Sequence, residues 1–421
     1  MKQICLIIAA IALISIFGCK NAETQDWAKT EADYRAQRME LEEAGYPEAY
    51  ILKNGKNYSV FDGTPELGVG MHEIDQKAID TAKKMHIRFI RHTLYWGMLE
   101  SEKGVYNKEY LADFHRKTDL CEKNGMVLLI VVHQAPAGLT FANKEEAYER
   151  FADFMAWAAK EFPTVRYWQL WNEMDAAFTD LFGAGVKKED GTEYSLTERG
   201  TFYTDMLKLA YPSVKKANPK AVVVCGPGAV PGGEFQEGIY KAGGKDYFDI
   251  MSIHTYGTPV MWQFVGRGKE VRDIMNRYGD DSKPLWNTEF GVEAGSLYSA
   301  WGVPENPLQT WLEQQRDHLS DCIEFNMRAG LYQKYFIYQY MTGLEGNKEA
   351  ILEKVEVPEG DTIDNYGFGI VNLDHSLKPV GEWIRDSNPN KKVKSTHKAN
   401  IKIGKSKKSV TLNSAYPVTV K

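Results

Sequence analysis

The chain has 421 residues, 43% hydrophobic and 12% aromatic, which is ample for one large core or for a core with an appendage. With a formal net charge of −6 and no basic excess, it offers nothing for a phosphate backbone to neutralise, so no nucleic-acid partner is expected.

The N-terminus reads as an export signal. Met1-Lys2 is a short basic start, and Ile4 to Phe17 is an apolar run too short for a comfortable membrane span. The run ends in Ile16-Phe17-Gly18-Cys19, which resembles a bacterial lipoprotein signal, cleaved before a cysteine that then carries the lipid. A generic cleaved signal peptide is the alternative. The expectation is an exported bacterial lipoprotein facing the periplasm or the cell surface, touching the membrane only through Cys19. Residues 1–18 form the signal and residues 19–50 a tether with a capping helix over Trp27 to Glu43, ended at Tyr46-Pro47. Cys121, Cys225 and Cys322 are far apart in apolar surroundings and read as buried free thiols.

From Tyr58 onward strands and helices alternate. Tyr58 to Gly70 is a first strand region, weakened by glycines, and Glu73 to Met85 follows with apolar residues at helical spacing. Ile87 to Trp96 is a strand, Lys108 to Asn124 a helix closed by Gly125, Met126 to His133 an aliphatic strand and Lys144 to Phe162 a helix. Val165 to Glu173 is an aromatic-rich strand ending in an amide and a carboxylate, and Ser195 to Ala217 a long helix. Strands over Ala221 to Gly226, Asp249 to Tyr256, Leu285 to Phe290 and Lys334 to Tyr340 alternate with helices over Glu234 to Ala242, Gly268 to Tyr278 and Gln309 to Arg328. Pro379 to Arg385 begins a last helix. Eight strand–helix units without a glycine-rich phosphate loop after the first strand favour a (β/α)8 TIM barrel, over residues 51–389, rather than a doubly wound sheet. Residues 390–421 change texture: lysines punctuate short β-like pieces, read as a small C-terminal β appendage.

In such a barrel the C-terminal ends of the strands share one rim. The polar residues closing the expected strands are Arg91, His92, His133, Asn172, Glu173, His254, Tyr256, Glu289, Tyr338 and Tyr340. Carboxylates on the fourth and seventh strands suit hydrolysis of a glycosidic bond, which needs a protonated acid at the leaving oxygen and a carboxylate at the anomeric carbon. Arg91 and the Tyr256 hydroxyl would keep Glu289 ionised, while apolar walls and a like charge would hold the proton on Glu173. The histidines are scattered one per strand without ligand spacing, so no metal or cofactor is expected. Lone Trp96, Trp262 and Trp301 read as packing residues.

Asn-Glu closing the fourth strand, His-x-Tyr on the sixth and Glu on the seventh resemble clan A of the glycoside hydrolases, the retaining "4/7" barrels, over roughly Tyr58 to Arg385. Trp171-Asn172-Glu173 and Ser252 to Tyr256 resemble family 39 first and family 5 second. The resemblance implies Glu173 as general acid/base, Glu289 as nucleophile, Asn172 on a sugar 2-hydroxyl, and Tyr256 and Arg91 positioning the nucleophile. It implies His133 and His254 along the subsite of the cleaved sugar, and an oligosaccharide or polysaccharide as partner. The eighth strand departs from the pattern: it lacks the tryptophan many clan members place under the sugar, leaving Tyr338 or Tyr340 as substitutes. A non-catalytic glycan-binding lipoprotein and a transglycosylase are the rival readings.

Overall fold

A computed structural model describes residues 65–176, 181–257, 260–295, 306–342, 352–353, 355–359, 361–391, 398–403 and 406–411. The expected signal, the Cys19 anchor, the capping helix and Trp301 lie outside the described residues. The barrel runs β1 (Glu66–Gly70), α1 (Gln76–Lys84), β2 (Phe89–Tyr95), α2 (Lys108–Lys123), β3 (Val127–His133), α3 (Lys144–Glu161), β4 (Tyr167–Leu170) and α4 (Leu196–Ala217). It continues β5 (Val222–Cys225), α5 (Glu234–Lys241), β6 (Met251–Thr255), α6 (Val260–Arg277), β7 (Leu285–Phe290), α7 (Pro307–Ala329), β8 (Lys334–Ile337) and α8 (Pro379–Ser387).

The strands pair in parallel in the order β5-β4-β3-β2-β1-β8-β7-β6. The remaining seam, β5 to β6, is joined by the bridge Val224–Ile250, where the Cys225 N–H donates to the Ile250 carbonyl at 2.8 Å. That closure gives a (β/α)8 barrel with no free edge. Helix starts carry the expected chemistry. Asn107 caps α2, and Ser195 and Glu198 form a capping box at α4. Helix α6 begins well before the glycine at which the sequence pattern would start it. Gly268 is a packing position rather than a boundary, since a Cβ there would sit 2.1 Å from the Tyr332 hydroxyl. At the C-terminus, Lys398–Ile403 pairs antiparallel with Ser406–Thr411.

Strand alternation divides the core in two. Ile90, Leu94, Trp168, Leu170, Ile253 and Phe290 face outward to the helices in the main cluster. Phe89, Leu129, Val222, Val224, Ile250, Trp286 and Phe336 fill the barrel interior, with Val127 and Tyr167 beside them. Four of these are aromatic and meet edge-on or tilted, as in Phe89–Trp286 (6.4 Å) and Tyr167–Trp286 (5.0 Å). They leave no room for an inward side chain on β1. A Cβ on Gly68 would lie 2.5 Å from the Phe336 ring and 3.0 Å from the Phe89 carbonyl oxygen. Gly68, one of the glycines that make β1 a poor strand by composition, is therefore what its neighbours require. Gly68→Ala should destabilise the fold by about 1–3 kcal/mol through overpacking. Urea melts would show this as a lower midpoint at unchanged slope, and an unchanged midpoint would contradict the packing account.

Candidate active site

Above the aromatic layer the barrel interior turns polar. On β2, Phe89 and Arg91 share the inward parity, so a cation stands one layer above the plug. Arg91 is 7% exposed, and its guanidinium is spent on three acceptors. Nη1 donates to Glu289 Oε1 at 2.5 Å, Nη2 to Asn172 Oδ1 at 2.7 Å, and Nε to Gln169 Oε1 at 3.5 Å. Gln169, fully buried and inward like Tyr167, also donates to the Trp171 carbonyl at 2.9 Å. This is the geometry a buried charge needs: a counter-ion and hydrogen bonds for the remaining donors.

Strand β4 ends at Leu170, earlier than the pattern suggests. Trp171 and Glu173 adopt left-handed backbone conformations (φ 71° and 49°), so Asn172 and Glu173 sit on a tight turn beyond the strand. The turn sends consecutive side chains three ways. Trp171 packs outward on Phe151 and Phe182, Asn172 meets Arg91, and Glu173 Oε1 lies 2.7 Å from His254 Nδ1.

Glu289 reaches the interior by a different device. Trp286 faces inward, so strict alternation on β7 would send Glu289 out to the helices. Register on both sides shows an extra residue: Ile253 and His254 of β6 pair with Asn287 and Glu289, while Tyr335 and Ile337 of β8 pair with Asn287 and Phe290. This β-bulge resets the parity and turns Glu289 inward. Asn287 ties it down from behind: its amide donates to the Glu289 carbonyl (2.7 Å) and the Ile253 carbonyl (3.2 Å) and accepts from the Thr255 hydroxyl (2.7 Å).

The two carboxylates have opposite surroundings. Glu289 accepts from Arg91 through one oxygen and from the Tyr256 hydroxyl at 2.7 Å through the other. Glu173, 4% exposed, has no such donor. Burial drives its carboxyl up to about 7, against the opposing pull of Arg91 and Arg267. Burial also drives His254 down to about 3, so the ring that hydrogen-bonds Glu173 is neutral near pH 7.

Of the remaining expected residues, the structure brings some to this rim and turns others away. Tyr256 stands edge-on to His254 (6.4 Å between rings) and Tyr338 edge-on to Tyr256 (6.2 Å). His133 has inward parity and lies 5.3 Å from the Tyr95 ring. His92 and Tyr340 need correction. His92 follows inward Arg91 and so points outward, donating from Nδ1 to the Met71 carbonyl (2.7 Å) and stacking on Phe114. Tyr340 lies beyond β8 in the outer cluster, bonded to His375 at 2.8 Å. The Trp96 indole is core, packed on Phe151 and Phe154. Sequence reading missed Gln169, Asn287 and Phe368. Gln169 was open to it, since its spacing from Tyr167 gives the same inward parity. Phe368, which flanks Tyr338 (5.4 Å) and Tyr256 (5.9 Å), comes from a long loop without periodic signal.

One ligand atom each from Glu173, His254 and Glu289 falls within a 4.8 Å circle, close enough for a divalent ion. Yet both oxygens of Glu289 are already taken by donors, one of them a guanidinium that would repel a cation. An acid–base pair fits these partners better than a metal centre.

A closed (β/α)8 barrel with two glutamates of unlike surroundings at its C-terminal rim defines a glycoside hydrolase, and the comparisons with known proteins agree. The family model described as "Cellulase (glycosyl hydrolase family 5)" matches residues 46–330, and the chain belongs to that family. Among solved structures it is similar to a family 39 glycoside hydrolase from the gut symbiont Bacteroides cellulosilyticus WH2: 23% identity, TM-score 0.54, 76% of this chain and 62% of that one. It is also similar to GH5_18 from Streptomyces cattleya in complex with GlcNAc, at 14% identity and TM-score 0.53, covering 77% of this chain and 80% of that one. The chain thus spans less than two thirds of the family 39 enzyme, and at these identities the likenesses speak for the fold. No curated protein matches the sequence.

Two outcomes follow from the geometry. Since burial lifts Glu173 from 4.5 to about 7, the stability held by its protonated form is complete below the ordinary carboxylate range and is lost as pH rises through about 7. Glu173→Gln should melt near the parent at pH 5 but above it at pH 8, by up to about 3 kcal/mol at ~1.36 kcal/mol per pH unit. Equal melting differences at both pH values would contradict a proton held by burial. Asn287→Ala, which frees the bulge, should cut kcat by ~10–100-fold at nearly constant KM. A change in KM alone would mean that Asn287 does not aim Glu289.

Proposed function

We propose that this glycoside hydrolase is a retaining enzyme that cleaves β-glycosidic bonds by double displacement. Glu289 serves as nucleophile and Glu173 as general acid/base. The observation that carries the reading is the pairing itself: carboxylate oxygens of Glu173 and Glu289 within 4.8 Å, one acid burdened by burial and the other served by two donors. Retaining enzymes hold the two groups about 5 Å apart, whereas inverting ones leave roughly 6.5–9.5 Å for a water.

In the first step a Glu289 oxygen attacks the anomeric carbon as the glycosidic C–O bond breaks, and the Glu173 proton goes to the leaving oxygen. The product is a glycosyl ester on Glu289 and a free aglycone. In the second step water adds to the anomeric carbon, gives its proton to Glu173 and releases Glu289. Asn172, held by Arg91, is positioned for a sugar 2-hydroxyl, while His133, His254 and the Tyr338–Tyr256 wall line the subsite. The substrate class is an oligosaccharide or polysaccharide. Solved GH5_18 neighbours carry GlcNAc and Manβ1-4GlcNAc, which makes Manβ1-4GlcNAc worth including in a screen. The Cys19 anchor would hold the enzyme at the bacterial membrane, facing exported or surface glycans.

Hydrolysis of a panel of aryl β-glycosides and polysaccharides, with the first-formed anomer followed by NMR, tests the reading. Retention of configuration is expected, together with a loss on the order of 10⁴-fold or more in Glu289→Gln without loss of folding. Inversion, or substantial activity in that variant, would overturn the assignment.

A further inference from the structure

Among the described residues, the β5–β6 seam is the one place in the barrel where neighbouring strands form no ladder. Seven strand pairs are ladders, whereas β5 meets the start of β6 through the Val224–Ile250 bridge and the main-chain hydrogen bonds around it, with no ladder continuing above them. On the catalytic face this gap is spanned by the loop that follows β5, Gly226 to Val230. Its carbonyls receive the neighbours on both sides: the Glu173 N–H donates to Pro227 (3.1 Å) and the His254 N–H to Gly228 (3.4 Å). The loop therefore sets the backbone height of Glu173 and of His254, the histidine hydrogen-bonded to it.

Asp175 fastens that loop. It is 1% exposed, two residues after Glu173, and both its oxygens are used. The Ala229 N–H donates to Oδ1 at 2.8 Å and the Val230 N–H to Oδ2 at 2.9 Å. The carboxylate lies so close to the loop that a Cβ on Gly228 would stand 2.8 Å from Oδ2. Two buried arginines brace the clamp. Arg199 donates to the Asp175 carbonyl at 2.6 Å, and Arg267 on α6 donates to the Ala229 carbonyl at 2.8 Å. A side chain this buried, holding two main-chain N–H groups of a neighbouring loop, is an expensive way to make a turn unless the position of that loop matters.

We propose that Asp175 is the positioning residue of the acid/base: its carboxylate locks the β5–α5 loop and so fixes Glu173 and His254 in the geometry that delivers a proton. The inference rests on Glu173 acting as the acid. It predicts a defect confined to proton delivery, because Glu289 is held separately by Arg91, Tyr256 and the β7 bulge.

The test compares phenyl and 2,4-dinitrophenyl β-glycosides of the sugar that the enzyme hydrolyses, in the full chain, through kcat/KM. The dinitrophenolate departs without a proton, so only the phenyl substrate needs the acid. Asp175→Asn should lose about 10²-fold on the phenyl glycoside and stay within about threefold on the dinitrophenyl one. Should that variant fail to fold, Asp175→Ser, whose hydroxyl accepts one of the two amides, carries the same comparison. Equal losses on both substrates, or no loss on either, would overturn the role of Asp175. Glu173→Ala run alongside separates the two readings. If it too loses equally on both substrates, the acid assignment of Glu173 fails. If it keeps the leaving-group pattern while Asp175→Asn lacks it, only the positioning role fails.

Discussion

A single guanidinium buried inside the barrel is the constraint on which the rest of the site depends. Arg91 cannot sit above an aromatic plug without compensation, and breaking such a pair by removing one partner costs about 3–5 kcal/mol. Its position therefore dictates its neighbours. An anion must stand at Nη1, an amide oxygen at Nη2 and another at Nε, and Glu289, Asn172 and Gln169 are those groups. Gln169 and Asn172 belong to β4 and the turn after it and Glu289 to β7, so satisfying one charge on β2 also locks the relative height of β2, β4 and β7. The ion pair and the catalytic register are one arrangement.

The same cation explains why two glutamates on one rim behave differently. Arg91 and Tyr256 donate to Glu289, whereas Glu173 faces a neutral imidazole across 2.7 Å. A protonated histidine there would have stabilised the Glu173 carboxylate. Burial prevents this by pushing His254 far below neutral, and the same burial lifts Glu173. One corner of the site is thus desolvated and the other is rich in hydrogen-bond donors. The difference between the two carboxyl groups comes from solvent exclusion around one and two hydrogen-bond donors on the other.

Much of this was open to reading in the chain itself, and the exceptions share a cause. The strand–helix repeat, and Glu173 and Glu289 as closing residues, follow from runs of apolar residues and their polar ends. Side-chain direction does not follow from a run that is apolar on both faces. Arg91 and His92 are adjacent on one strand, so only one of them faces inward, and the choice depends on whether Phe89 belongs to the plug. The bulge on β7 is harder still. In Leu285-Trp286-Asn287-Thr288-Glu289-Phe290 nothing local marks an extra residue, and alternation counted from Trp286 sends Glu289 the wrong way. The bulge exists because two neighbouring strands impose a register that β7 meets only by inserting Thr288. Tyr340 fails for a similar reason, because β8 stops at Ile337 and parity means nothing beyond it.

Strand β4 solves the opposite problem by leaving the strand altogether. A non-glycine residue in the left-handed region costs of order 1–3 kcal/mol, and both Trp171 and Glu173 adopt it. The cost is met by contacts that no extended conformation would allow together. With an ordinary strand end, Trp171 and Glu173 would share one face, and the indole would either fill the sugar site or drag the acid out among the helices. The turn separates them: Trp171 buries its rings against Phe151, Phe182 and Trp96, while Glu173 stays inside. The Trp171 N–H still donates to the Val132 carbonyl at 2.9 Å, so the ladder holds up to the residue where the chain turns. The tryptophan anchors the strained turn from outside the barrel, and the Pro227 carbonyl receives the Glu173 N–H from within. A flexible Glu173 would lose the burial that raises its carboxyl above the usual range.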